Sequence, residues 1–118
     1  MPIDNALAGI AVRDLTAATL WYQKLFGRPA DHRPMQEVAE WVFPAGGGLQ
    51  VFQDPRRAGS SSVTLALKNL DGQLAEMRRN GIVVERHDQS TKVDTATLHD
   101  PDGNQIVMAE AHVADMAR

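Results

Sequence analysis

A short phrase of this sequence is used twice. Ile10-Ala11-Val12-Arg13-Asp14-Leu15 returns as Leu65-Ala66-Leu67-Lys68-Asn69-Leu70, and each copy leads into an amphipathic stretch that stops at a glycine, Gly27 in the first half and Gly81 in the second. The interval between the copies is just under half the chain and hardly changes from the leucines to the glycines. That is longer than the ~20–50 residues of a stacked repeat, so it describes one supersecondary unit built twice and packed against itself. Two copies leave one seam, and clefts between packed units are favoured places for small ligands.

With 118 residues and 43% hydrophobic content, the chain suits one globular domain that buries roughly two thirds of the surface its unfolded form exposes. The formal charge is −3, and the Lys and Arg residues are scattered. A phosphate backbone would find no basic footprint, so nucleic acid is not an expected partner. Cysteine is absent, which removes disulfides, thiolate nucleophiles and Cys-ligated zinc together and suits a reducing cytoplasm. No apolar run approaches the ~20 residues a bilayer requires, and Met1-Pro2-Ile3-Asp4-Asn5 lacks the pattern of a leader. The expectation is a soluble, unprocessed cytoplasmic protein without a membrane partner.

Leu7 to Val12 reads as a strand, and Asp14 after it suits a helix N-cap. Ala18, Trp21, Tyr22 and Leu25 then fall on one face of a helix ended by Gly27. Beyond Pro29 and Pro34, the region up to Phe43 reads as two strands, and Gly46-Gly47-Gly48 turns the chain into a further strand from Leu49 to Phe52. Asp54 to Ser61, rich in turn formers, links the halves. The second half repeats the order: a strand from Ser62 to Leu67, a helix burying Leu70, Leu74 and Met77, strands at Ile82 to Glu85 and Thr95 to His99, and a last strand from Gln105 to Ala109. Asp100-Pro101-Asp102-Gly103-Asn104 reads as a hairpin turn. Each half is βαβββ, module one spanning about residues 5–55 and module two about residues 61–112.

Val12-Arg13-Asp14-Leu15, Trp21-Tyr22 with Phe26-Gly27, and the Asp100 to Asn104 turn together resemble the vicinal oxygen chelate superfamily, which includes glyoxalase I, bleomycin-resistance and fosfomycin-resistance proteins and extradiol dioxygenases. The resemblance covers nearly the whole chain. It implies an α+β fold in which two βαβββ modules form a cup-shaped mixed sheet with helices on its outer face and a ligand on the concave side. It also implies pairing into a homodimer. Metal-dependent members carry His or Glu at four inward positions, which fall here on Leu7, Gln50, Ser62 and Val107. Leucine and valine offer a divalent ion nothing, and an amide with a hydroxyl does not replace its hydration shell. No metal or other cofactor is therefore expected at these positions.

Strand alternation places Val63, Leu65, Leu67, Ile106, Met108, Leu49 and Val51 under the helices. It leaves Gln50, Phe52, Ser62, Thr64, Gln105 and Val107 inward, joined by Thr97 and His99. By analogy with those last two, Trp41 and Phe43 are also expected inward, where Trp41, Phe43 and Phe52 would floor a site for a flat ligand. His32, Glu40 and His99 are the only candidates for a relocated metal site, and their spacing does not require one. Asp100 and Asp102 read as turn residues, because the glycine stands too early for a calcium loop. The mostly neutral lining suits capture of a small, partly aromatic molecule better than chemistry. The alternatives are an enzyme of the same superfamily, a lyase or dioxygenase with relocated metal ligands or a metal-free one using Gln50, Thr97 or His99, and a regulatory protein with a vestigial cup.

Overall fold

The computed structural model describes residues 2–112. The order is β1 (Leu7–Val12), α1 (Leu15–Phe26), β2 (His32–Met35), β3 (Val38–Val42), β4 (Gly48–Gln53), then β5 (Ser62–Ala66), α2 (Leu70–Arg79), β6 (Arg86–Gln89), β7 (Val93–His99) and β8 (Gln105–Ala111). They form two four-stranded mixed sheets of matching order, β1-β4-β3-β2 and β5-β8-β7-β6. In each, the first strand runs parallel to the last while the others are antiparallel.

Both helices begin on side-chain caps that absorb unpaired first-turn amides. Asp14 accepts from the Thr16 amide and Asn69 from the Gly72 amide. Gly27 closes α1 in the left-handed conformation at φ 72°, where a side chain would be strained. Ala18, Tyr22 and Leu25 are buried on α1, and Leu70, Leu74 and Met77 on α2. Against them lie Ile10, Val12, Ala39, Trp41, Leu49 and Val51 of the first sheet and Val63, Ala96, Leu98, Ile106 and Met108 of the second, in one continuous core. The opposite sheet faces have no helix over them.

One strand differs from the sequence reading. The segment Ile82 to Glu85 is not a strand; Ile82 and Val84 tuck against the core outside any ladder, and the strand follows at β6. β2 and β6 are exposed at every position. Strands of this kind, outermost in their sheets, carry no apolar alternation for periodicity to detect.

The modules are joined by the loop between β7 and β8. Asp100 is 5% exposed and Asn104 fully buried. The Asn104 side-chain carbonyl accepts from the amides of Gly59 and Ser61, while its NH2 donates to the Ala11 carbonyl at 2.8 Å and to Asp100 at 2.8 Å. Asp100 also accepts from the Tyr22 hydroxyl at 2.7 Å. Asp102 accepts from the Arg13 amide, and the Ser61 hydroxyl from the Ala11 amide. The sequence reading of Asp100 and Asp102 as turn residues is incomplete: this turn is a latch that holds module two to β1 and α1. Burial in apolar surroundings, reinforced by the Asp100 carboxylate, pushes the Tyr22 hydroxyl far above the ordinary phenol range.

Candidate functional site

The latch works at one end of the seam only. Its counterpart in module one is the turn between β3 and β4, Pro44-Ala45-Gly46-Gly47, which has no hydrogen-bonding side chain to reach across. Met77 stands as far from Leu70 as Tyr22 does from Leu15, and it offers no hydroxyl. At this unlatched end a cavity of about 390 Å³ opens. It is lined by Ala45 and Gly46 of that turn, Thr64 to Ala66 of β5 with Leu67 after it, and Phe26, Phe43, Gln73 and Met108. Gln73 donates through its amide to the Leu25 carbonyl at 3.0 Å, so its own side-chain oxygen is the acceptor left over.

Trp41 and Phe43 require a correction. β3 alternates so that Ala39 and Trp41 face α1, and Glu40 and Val42 face away. Trp41 is fully buried and its indole N–H donates to the Arg28 carbonyl at 3.0 Å. The analogy with Thr97 and His99 failed because β3 and β7 were aligned one residue out of step, which exchanges the faces of a strand. Phe43 packs on the helix side too, 5.8 Å from Phe26, which is itself 5.4 Å from Trp41. Neither forms a floor under the open sheet face, although Phe43 reaches the cavity wall.

The open face of the first sheet has three cross-strand rows, set by the register. Leu7, Gly48 and Val42 form an apolar row. Gly9, Gln50, Glu40 and His32 form a polar one, in which the Gln50 amide donates to the Glu40 carboxylate at 2.5 Å. Ala11, Phe52, Val38 and Met35 form the third. Phe52 lies over Gly9, where a Cβ would stand 3.2 Å from the ring. Its ring carries the Arg57 guanidinium at 5.1 Å, and Arg57 is in turn held by Asp54 at 2.7 Å. That ion pair keeps the Asp54 carboxyl below its ordinary range.

The open face of the second sheet gathers the rest of the expected residues: Ser62, Gln105 and His99 in one row, Thr64, Val107 and Thr97 in the next. Gln105 donates to the Ser62 hydroxyl at 3.3 Å. The Nδ1 of His99 rests on Glu85 at 2.9 Å. Sequence reasoning missed Gln73, Phe26 and Arg57; the first two lie on helices read as core, and the third on a linker without periodicity.

The metal positions implied by the superfamily supply Leu7, Val107, a Gln50 amide engaged with Glu40, and a Ser62 hydroxyl engaged with Gln105. That donor set does not fit a divalent ion. Among the described residues, no three His, Asp or Glu side chains come together to hold one. His32 opposes Glu40 across the strands, but His99 belongs to the other sheet.

A family model described as a glyoxalase-like domain matches residues 8–109. A search of the curated proteins finds no match. Among solved structures, a glyoxalase/bleomycin resistance protein from Catenulispora acidiphila is 31% identical with a TM-score of 0.86, covering 91% of this chain and 97% of its own. TnmS3, an antibiotic binding protein from Streptomyces sp. CB03234, is 22% identical with a TM-score of 0.78 over 94% and 98% of the two chains. A bleomycin resistance determinant encoded on transposon Tn5 is 20% identical with a TM-score of 0.72 over 94% and 100%. No described helix is long and apolar enough to cross a membrane. With the family model spanning nearly all of both βαβββ modules, the chain belongs to the glyoxalase-like domain family of the vicinal oxygen chelate superfamily.

Proposed function

We propose that this chain captures a small, partly aromatic molecule in the seam cavity, without a metal ion and without turning it over. The observation that carries this reading is the unlatched seam: about 390 Å³ of room, within the ~300–1,000 Å³ of typical ligand pockets. Its walls are apolar and aromatic, with Thr64 and Gln73 as the polar side chains. Thr64 also belongs to the open face of sheet two, so a ligand longer than the cavity emerges beside Val107 and Thr97. Ser62, Gln105 and His99 extend that surface, and Gln50 and Phe52 form its counterpart on sheet one. Similarity to an antibiotic binding protein and to a bleomycin resistance determinant supports capture.

The reading includes a homodimer in the cytoplasm. Leu7, Met35 and Val42 expose apolar surface on sheet one, and a second copy is the partner that would cover it. Sedimentation showing a monomer at tens of micromolar would overturn this part. One observation favours an enzyme instead: Glu85 orients His99 through Nδ1, as in general bases held by a carboxylate.

Trp41 tests the capture reading. It stands behind Phe26, so an aromatic ligand against Phe26 and Phe43 changes its emission without touching it. In a Trp21→Phe background, screened aromatic compounds should shift that emission and raise the melting temperature together, since a ligand at a hundredfold excess over Kd adds about 2.7 kcal/mol of stability. Ala66→Phe, on the exposed rim, should abolish both responses while leaving the fold intact and adding no second tryptophan. Ligands that bind equally well to this variant sit elsewhere, and the seam assignment then falls.

A further inference from the structure

We propose that the seam cavity selects a neutral flat ring carrying a hydrogen-bond donor, a phenol or an aromatic amine, and that Gln73 of α2 is the residue that selects it. This rests on capture at the seam and names the chemical class captured. Three observations carry it. The Gln73 side-chain NH2 donates to the Leu25 carbonyl of α1 at 3.0 Å. A backbone carbonyl can only accept, so the amide cannot be turned round, and its Oε1 is fixed as an acceptor on the cavity wall. That oxygen is also within reach of a ligand: among the described residues, the one unpartnered side-chain polar atom shut away from solvent is the hydroxyl of Thr19.

Charge decides against an acid. No Asp, Glu, His, Lys or Arg lines the cavity, so an aromatic carboxylate would leave water without meeting a cation. It would also face the C-terminal end of α1, which closes at Phe26 and is the negative end of the helix dipole. The Glu76 carboxylate stands at the same end, 3.1 Å from where a Cβ on Gly27 would be, and Lys24 of that last turn is exposed to water. The Gln73 NH2 keeps a second proton, but an acceptor brought to it would lie close to the Leu25 carbonyl oxygen and be repelled. A donor meets no such opposition. Phe26 and Phe43, 5.8 Å apart, supply aromatic contact for the ring, and a ring without a donor leaves the fixed Gln73 oxygen desolvated and unpaired.

The test titrates 2-naphthol, 2-methoxynaphthalene and 2-naphthoate into the full chain at pH 7, where an ordinary phenol is neutral and a carboxylate is charged. Binding is followed by the amide NMR signals of Phe26, Phe43 and Leu67 on the cavity wall. The naphthol should bind about tenfold more tightly than its methyl ether, a difference of about 1.4 kcal/mol, and the naphthoate more weakly than either. Gln73→Met keeps the length of the side chain and removes the acceptor, so it should bring the naphthol down to the level of the ether. An ether or a naphthoate that binds the parent protein as well as the naphthol does would overturn the proposal, whether or not the variant folds. A preference that survives Gln73→Met would overturn it too, by taking the selection away from Gln73. In each of those cases capture at the seam still stands; if none of the three probes moves the wall signals, that reading falls as well.

Discussion

Module one and module two share a topology and divide the labour. Every aromatic residue of the chain lies in module one, where Tyr22, Phe26, Trp41 and Phe43 pack as a connected cluster. Module two buries only aliphatic and methionine side chains in the same places: Leu70, Leu74, Met77, Leu98, Ile106 and Met108. The loops are divided the other way. Module two has the acid- and amide-bearing turn that reaches across the seam, and module one has alanine and glycines. A repeated backbone thus does not produce a symmetric molecule. The seam is sealed where one copy has Asp100 and Asn104, and it is open where the other has nothing to extend.

The sharpest way to break this comparison is to remove the latch. Asn104→Ala leaves the amides of Gly59 and Ser61 and the Ala11 carbonyl without their partner inside the protein. Each such group costs about 1–3 kcal/mol, so a loss of about 3 kcal/mol or more is expected in urea unfolding. Ala45→Ser in the opposite turn should change stability by less than about 0.5 kcal/mol, as exposed sites do. Equal effects at the two turns would show that the seam is not one-sided.

A smaller effect is expected at Tyr22. Tyr22→Phe keeps the ring in the aromatic cluster and removes only the bond to Asp100, which retains three donors from Asn104 and Asp102. A loss of about 1–2 kcal/mol follows from one charge-assisted bond in a buried site. A loss as large as that from Asn104→Ala would move the centre of the latch from the loop to the helix.

The smallest difference is one of pH. At the rim of sheet one, Arg28 holds the Asp31 carboxyl below its ordinary range, so that carboxyl stays charged near neutrality. At the rim of sheet two, the Asp94 carboxylate raises the His112 imidazole above its ordinary 6.5, and His112 lowers Asp94 below 3.8. The raised imidazole stabilises the fold fully below pH 6.5 and loses this as pH rises through its folded value; the lowered carboxyl stabilises above 3.8 and loses this as pH falls through its own. His112→Gln should therefore lower the melting temperature slightly at pH 5.5 and have no effect at pH 8.5. A gap that persists at pH 8.5 would show that the contact does not depend on charge.

How much of this was legible in the sequence depended on burial. The repeat, both helices and the parity of β4, β5 and β8 could be read because each buries an alternating or helical stripe of apolar residues. β2 and β6 bury nothing, so they left no stripe. Trp41 was misplaced because its strand was aligned by analogy instead of by its own pattern: Ala39 and Trp41 are the apolar pair of one parity, but Val38 and Val42 are equally apolar on the other. Arg57 and Gln73 owe their positions to loop and helix geometry that no short-range pattern encodes. Asn104 was visible as a turn residue, and what it reaches across the seam was not.

The latch also orders events in time. Asn104 meets Ala11, Asp100 meets Tyr22 and Asp102 meets Arg13 across sequence separations of 93, 78 and 89 residues. As the chain leaves a ribosome, module one is synthesised long before the groups that finish it. Until the loop between β7 and β8 emerges, the Ala11 carbonyl and the Tyr22 hydroxyl have only water to bond with, and the inner end of β1 is uncovered. Contacts of such long range slow folding, because the intervening chain must be ordered before they form. The two copies, alike as they are, mature together: the first waits, exposed, for residues 100–104 to arrive, and a chain cut short within module two retains neither half in its finished form.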